Sequence, residues 1–405
     1  MTDILLITIS GEDHPGVTAG VTAILAQHGV SVLDIGQAVI HATLSMGLLV
    51  EVPRHCDQEI VVAQLQAQVE QQGMQARISP VSAESYARWV EAQGRARFII
   101  TLLARKITAD QIARVTEVVS RHGLNIDGIN RLSGRIPLGE LPDLSKACVE
   151  FSVRGPLSDS GAFRRDLLEV AGVLDVDMAF QQDNMYRRNR RLVAFDMDST
   201  LIEAEVIDEL AARAGVGEQV SAITERAMQG ELDFSESFRA RVALLAGLEE
   251  GALEQVAAEL KITEGAEHLI STLRALGYKT AILSGGFTYF ARYLQKRLGM
   301  DYVHANELDI ENGQVTGRVS GTIVDGERKA QLLRQLAANE GIDLQQVIAV
   351  GDGANDLPML SIAGLGIAFR AKPLVKQSAE QSISTLGLDA ILYLLGFSDR
   401  YQQGN

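Results

Sequence analysis

Two aspartates one residue apart, Asp196 and Asp198, close the apolar run 192–195 and are followed by the hydroxyls of Ser199 and Thr200. A buried strand ending on such a pair has the layout of a phosphoryl-accepting aspartate, because ligands of open α/β sheets gather at the carboxyl ends of strands. Three later segments can complete such a site. Ser284-Gly285-Gly286 follows the apolar run 280–283 and offers a hydroxyl and unhindered backbone N–H groups to an anion. Lys329 opens a helical pattern and supplies a cation. Gly351-Asp352-Gly353-Ala354-Asn355-Asp356 follows the apolar run 347–350; its glycines let the backbone approach a ligand, and its carboxylates suit a hard cation. Unrelated turns need not share this chemistry, so the four segments together point to one site.

The elements that must position these groups are strands of one parallel sheet, interrupted between about 204 and 265 by helical periodicity. Val206, Ile207, Leu210 and Ala211 repeat at helical spacing, as do Phe238, Val242 and Leu245, which predicts a helical cap inserted into an α/β core.

Residues 191–397 resemble the phosphoserine phosphatases of the haloacid dehalogenase superfamily. The resemblance is carried by Asp196-Met-Asp198-Ser-Thr200-Leu-Ile, Glu205, Met228-Gln-Gly230-Glu-Leu-Asp-Phe234, Arg241-Val, Ser284-Gly-Gly-Phe287, Ala305-Asn306-Glu, Lys329 and Gly351-Asp-Gly-Ala-Asn-Asp356. It implies a Rossmann-like core over 190–397 with the cap at about 204–265, and it fits the chemistry of the residues. A carboxylate is ionised at neutral pH and attacks phosphorus without a base, the role expected of Asp196. Asp198 would protonate the departing alkoxide and later take a proton from water, which requires a pKa pushed upward by its anionic neighbour. Phosphoryl charge must be neutralised, so Mg2+ is expected on the carboxylates of Asp196 and Asp352, the resemblance adding the backbone carbonyl of Asp198. Ser284, Gly285 and Lys329 would hold the phosphate. The resemblance further implies Asn355 near the phosphate and Asp356 behind the site, Glu205 meeting a substrate ammonium, and Arg241 meeting its carboxylate. Phe234 and Met228 would be apolar cap contacts. Arg370 stands where many relatives carry a small polar residue, which leaves its effect on the site rim open. The implied reaction is hydrolysis of O-phosphoserine, the last step of serine biosynthesis. The alternatives are another small-molecule phosphatase or phosphotransferase of the superfamily, or a non-catalytic amino-acid sensor.

The first half carries an internal repeat. Ala26-Gln-His28-Gly29-Val-Ser-Val-Leu-Asp-Ile35 returns as Ser120-Arg-His122-Gly123-Leu-Asn-Ile-Asp-Gly-Ile129. In the first copy strands are predicted at 4–9, 30–40, 44–52 and 76–78, with helices from near Gly16 and at 58–71; in the second, strands fall at 98–103, 124–131, 147–153 and 173–180, with helices at 109–122 and 161–170. This βαββαβ order is ferredoxin-like and places two domains at 1–80 and 96–181. The pair resembles tandem ACT domains, the small-molecule sensing modules of amino-acid metabolism. Asp13-His-Pro15-Gly16 resembles that family's ligand loop, with Gly16 letting a backbone meet an amino-acid effector. The second copy has Arg105-Lys-Ile-Thr108 there, with no glycine. His28 and His122 are expected at helix ends, not on metals. Linkers are expected near 80–95 and 181–190, the latter polar, basic and solvated.

Composition frames the rest. A chain of 405 residues with 46% hydrophobic content can build two or three cores. Two cysteines are too few for a disulfide framework, no charged leader with an apolar stretch follows Met1-Thr2-Asp3, and the cytoplasm is expected. No apolar run approaches membrane-spanning length. A formal charge of −15 argues against nucleic acid. A homo-oligomer, a dimer, is expected.

Overall fold

A computed structural model describes residues 3–94, 96–137, 139, 145–228 and 231–401, the side chains of Met228 and Tyr401 excepted. The chain forms two compact units, residues 1–95 and 96–405.

In the first unit four antiparallel strands, β1 (Asp3–Glu12), β2 (Ser31–Ile40), β3 (Thr43–Val52) and β4 (Gln75–Val81), lie in the order β2-β3-β1-β4. Two helices cover one face. Helix Gln58–Gln71 begins where the Asp57 carboxylate accepts from the Glu59 N–H, and it buries Val61, Leu65 and Val69, one per turn. The region read as a linker from residue 80 instead holds helix Ala83–Glu91, capped by Ser82.

The second unit begins with β5 (Arg97–Ala104), β6 (Asn125–Arg131), β7 (Ala147–Arg154) and β8 (Asp177–Gln182), ordered β6-β7-β5-β8, the same topology as the first. Thr108 and Gln111 form a capping box that starts helix Ala109–Arg121. In both copies the His-Gly pair is a helix stop: His28 and His122 occupy the C-cap, and the next glycine is left-handed. The last strand was expected from 173, but helix Ser160–Leu174 runs on to a left-handed cap at Asp175, so β8 starts only at Asp177.

A seven-stranded sheet contains β9 (Leu192–Phe195), β10 (Lys279–Phe287), β11 (Tyr302–Glu311), β12 (Gln314–Ser320), β13 (Val347–Gly351), β14 (Leu365–Phe369) and β15 (Gln381–Ile383), ordered β12-β11-β10-β9-β13-β14-β15. All neighbours are parallel except the β11–β12 hairpin. β9 is central and wholly buried, as its continuous apolar pattern requires. Between β9 and β10 stand the cap helices Val206–Ala214, Gly217–Met228, Phe234–Ala243 and Gly251–Glu259, with the predicted apolar residues turned inward.

The connector 181–190 is largely exposed, as its composition suggested, but two of its arginines are not. Arg187 is only 1% exposed and pairs with Glu150 of β7, and Arg190 is buried beside the Gln345 carbonyl. Leu103, Leu132, Cys148 and Ala179 of the second repeat share one apolar core with Phe195, Leu388 and Ile391. Side-chain hydrogen bonds join the same parts: Gln381 grips both backbone groups of Phe180, and the Asp177 carboxylate accepts from Ser384 and Thr385. The second repeat is therefore built into the domain of the seven-stranded sheet.

Candidate active site

The register of the sheet brings the motifs together. Phe195 pairs with Ile282 on one side and Val350 on the other, so Asp196, Ser284 and Asp352 leave three adjacent strands at nearly one level. This is the point where strand order reverses, the usual ligand crevice of such sheets.

Asp196 Oδ1 accepts from the Met197 N–H at 2.7 Å and faces Lys329 Nζ at 2.8 Å. Its Oδ2 makes no hydrogen bond among the described residues, which leaves one oxygen for chemistry. Lys329 is fully buried and also donates to Asp356 Oδ1 at 2.7 Å. Asp356 Oδ2 in turn accepts from the N–H groups of Asp352 and Gly353 at 3.1 and 2.9 Å, which fixes the turn after β13. Burial acts to lower the pKa of Lys329, but Asp196 and Asp356 outweigh burial and raise it.

Asp198 accepts from the Val206 N–H at 3.1 Å, and burial, then Glu205 and Asp196, hold its carboxyl well above the usual range. A Cβ on Gly286 would stand 2.5 Å from Asp198 Oδ2, so only glycine admits the acid beside the anion loop. Ser284 is buried, and its Oγ accepts from the Gly286 N–H at 2.9 Å. Asn355 is half-buried on the turn Ala354–Asp356.

The cap reaches this floor. A Cβ on Gly285 would meet the Phe234 ring at 2.8 Å, and Phe234 stacks on Phe238. Glu205 stands at the rim, its Oε1 accepting from Ser199 Oγ at 2.8 Å; crowding by protein raises its pKa, which that hydrogen bond partly offsets. Burial lowers the pKa of Arg241, while Asp208, Glu205 and Asp198 act to raise it, so the guanidinium feels the mouth of the site. Met228, also expected here, has its side chain outside the described residues.

Sequence reading missed three supports. Thr200 Oγ1 donates to Asp352 Oδ1 at 3.2 Å; Ser199, at φ 53°, orients Glu205; and Asn306 ties the anion loop to the neighbouring chain, donating to the Gly285 carbonyl at 2.8 Å and accepting from the Val324 N–H at 2.8 Å. The Ser-Thr and Ala-Asn-Glu strings were visible, but their partners lie far away in sequence. Arg370, whose role was open, pairs with Glu264 and Glu203.

One oxygen from each of Asp196, Asp352 and Asp356 lies within 4.8 Å of the others. Burial, then Asp356, pushes Asp196 up to about 8 and Asp352 up to about 7, because Lys329 alone cannot compensate three carboxylates. A hard divalent cation fits this oxygen set and its excess charge. A carboxyl whose folded pKa exceeds its unfolded value binds more protons folded than unfolded between the two, so stability falls as pH rises through that window. For these two groups it runs from about 4, the unfolded value, to about 7–8. In chelated buffer Tm is expected to fall from pH 5 to pH 8, and added Mg2+ is expected to restore it most at pH 8, where ligation no longer competes with protons. A pH-independent Tm, or one blind to Mg2+, would contradict the cluster's role.

Residues 193–361 match the haloacid dehalogenase-like hydrolase family, and residues 3–79 match the ACT domain family. The phosphoserine phosphatase of Streptomyces coelicolor is 42% identical over 395 residues, 97% of this chain and 92% of that protein. The chain belongs to the phosphoserine phosphatase family. A phosphoserine phosphatase of Mycobacterium tuberculosis is 41% identical over 393 residues, 97% of this chain and 93% of that one. Among solved structures, a probable phosphoserine phosphatase from Vibrio cholerae superposes with a TM-score of 0.59 at 35% identity, covering 77% of this chain and 90% of that chain. Family membership thus extends through the repeats as well as the catalytic sheet. No helix among the described residues is long and apolar enough to cross a membrane.

Proposed function

We propose that the protein hydrolyses O-phosphoserine to serine and phosphate through a phosphoaspartate on Asp196. The observation that carries this is the buried Asp196–Lys329–Asp356 array beside Ser284, with Glu205 and Arg241 at the cap mouth. Asp196 Oδ2 attacks phosphorus while Lys329, Ser284 and the Gly285 N–H hold the phosphoryl oxygens, and Asn355 lies beside them. Asp198, kept protonated by its raised pKa, gives its proton to the serine alkoxide, then takes one from the water that cleaves the acyl phosphate. Asp196, Asp352 and the Asp198 carbonyl would hold Mg2+, which would supply charge neutralisation at the phosphoryl group. Asp356 orients Lys329 and the turn bearing Asp352. Glu205 takes the ammonium and Arg241 the carboxylate of the substrate.

We assign residues 1–80 and 96–181 to two ACT-like domains and 190–397 to the phosphatase, and place the enzyme in the cytoplasm as a dimer. Gly16, at φ 100° before helix Val17–Gln27, would receive an amino-acid effector. A Cβ there meets nothing within 4 Å, so a Gly16→Val test acts through backbone strain.

Steady-state hydrolysis of a panel of phosphate esters tests the reading. Arg241→Ala is expected to lower kcat/KM for phosphoserine roughly 100-fold or more while changing an ester without a carboxylate, p-nitrophenyl phosphate, by only a few-fold. Equal losses on both would contradict the assignment of Arg241.

A further inference from the structure

The chain leaves β9 for the cap through residues 201–205 and returns through 260–264. The two crossings run side by side: Ile202 bridges Ile262, the Glu203 N–H donates to the Lys261 carbonyl at 3.0 Å, and the Thr263 N–H donates to the Leu201 carbonyl at 3.0 Å. Cap movement relative to the sheet must flex this paired segment. Glu264 ends it, and its carboxylate is gripped from outside the catalytic sheet. Arg105 of the second repeat donates Nη1 to Oε1 and Nη2 to Oε2, both at 2.9 Å. Arg370, just after β14, donates to the same Oε2 at 3.0 Å and pairs with Glu203 at 3.6 Å. Two guanidiniums, one from the repeat and one from the sheet, thus meet across both crossings, and Glu205 lies two residues beyond Glu203.

Arg105 follows β5 where the first repeat has its Asp13-His14-Pro15-Gly16 loop after β1. The loop is fastened at its own base, since Ser145 Oγ donates to the Arg105 carbonyl at 2.9 Å, and its neighbour Lys146 pairs with Asp389. A glycine-bearing loop that suits a ligand in one copy has become an arginine-bearing loop that holds a hinge in the other. We propose that Arg105 is a positioning residue: through its fork on Glu264, the second repeat braces the cap hinge in the arrangement that closes over the substrate. The inference rests on the reading of the cap as a phosphoserine lid. Its direction comes from the coexistence of this grip with the Phe234–Gly285 approach, a cap-to-floor contact. Both partners are partly exposed, with side chains 33% and 21% accessible. Such a pair adds little to global stability, so its effect belongs in geometry.

The test uses the full chain, with Arg105→Ala, Arg105→Lys and Glu264→Gln assayed on phosphoserine and on p-nitrophenyl phosphate, alongside thermal melts. Expected is a rise in KM for phosphoserine of about fivefold or more for Arg105→Ala and Glu264→Gln, a smaller one for Arg105→Lys, kcat on the aryl ester within about twofold, and Tm near wild type. Equal losses on both substrates with a lowered Tm would reduce Arg105 to a structural anchor and overturn the brace. So would an unchanged KM in a wild-type background that prefers phosphoserine. A wild-type enzyme with no such preference would instead overturn the lid reading, and the brace with it.

Discussion

Asp196→Asn is expected to lose turnover by roughly 10⁴-fold or more while folding at least as stably as wild type in metal-free buffer. The amide keeps the shape and the Met197 contact but cannot attack phosphorus. It also removes one of three carboxylates crowded within 4.8 Å, where burial, then repulsion from Asp356, already pushes Asp196 up to about 8. Chemistry and stability therefore move in opposite directions, which separates a nucleophile from a structural aspartate. Kinetics on phosphoserine beside a melt in chelated buffer check both. Retained turnover without deamidation of the asparagine would refute the role.

Lys329→Met is expected to damage both quantities. Lys329 is fully buried and touches Asp196 and Asp356 at 2.8 and 2.7 Å. Removing one partner of a buried ionic network leaves uncompensated charge, at a cost of about 3–5 kcal/mol, even though an intact buried pair can be nearly neutral against an apolar replacement of the whole set. The phosphoryl group also loses its fixed cation, a loss of roughly 10³-fold in kcat/KM. The melt should recover in part at low pH, where Asp196 takes a proton. A Lys329→Met protein as stable as wild type at pH 8 would contradict the pairing.

Much of this was legible in the sequence because its signals are local. The apolar run 192–195 ending on Asp196 reads as a buried strand wherever it lies, and helix Gln58–Gln71, which buries Val61, Leu65 and Val69, was predicted to the residue. What stayed hidden depends on partners distant in the chain. Arg187 looked solvated among polar neighbours because Glu150, 37 positions earlier, could not be seen to face it. Arg370 looked like a rim residue until Glu203 and Glu264 met it across the hinge. The hairpin Tyr302–Glu311 and Gln314–Ser320, onto which the cap leans through the Gly247 N–H and the Val315 carbonyl, was not read as an element. The repeat itself was plain, but not that its second copy shares a core with the phosphatase. Removing residues 1–180, a natural cut on paper, would expose Phe195, Leu388 and Ile391 of that core; removing 1–95 respects the compact units.

The covalent intermediate is the most direct test of the central claim. A single turnover of the Mg2+-supplemented enzyme with phosphate-labelled phosphoserine, quenched in acid within milliseconds and mapped by peptide, should place the label on the peptide that contains Asp196, with none on the Asp196→Asn protein. Full release of labelled phosphate with no labelled protein at any time, or label that persists in Asp196→Asn, would contradict the account.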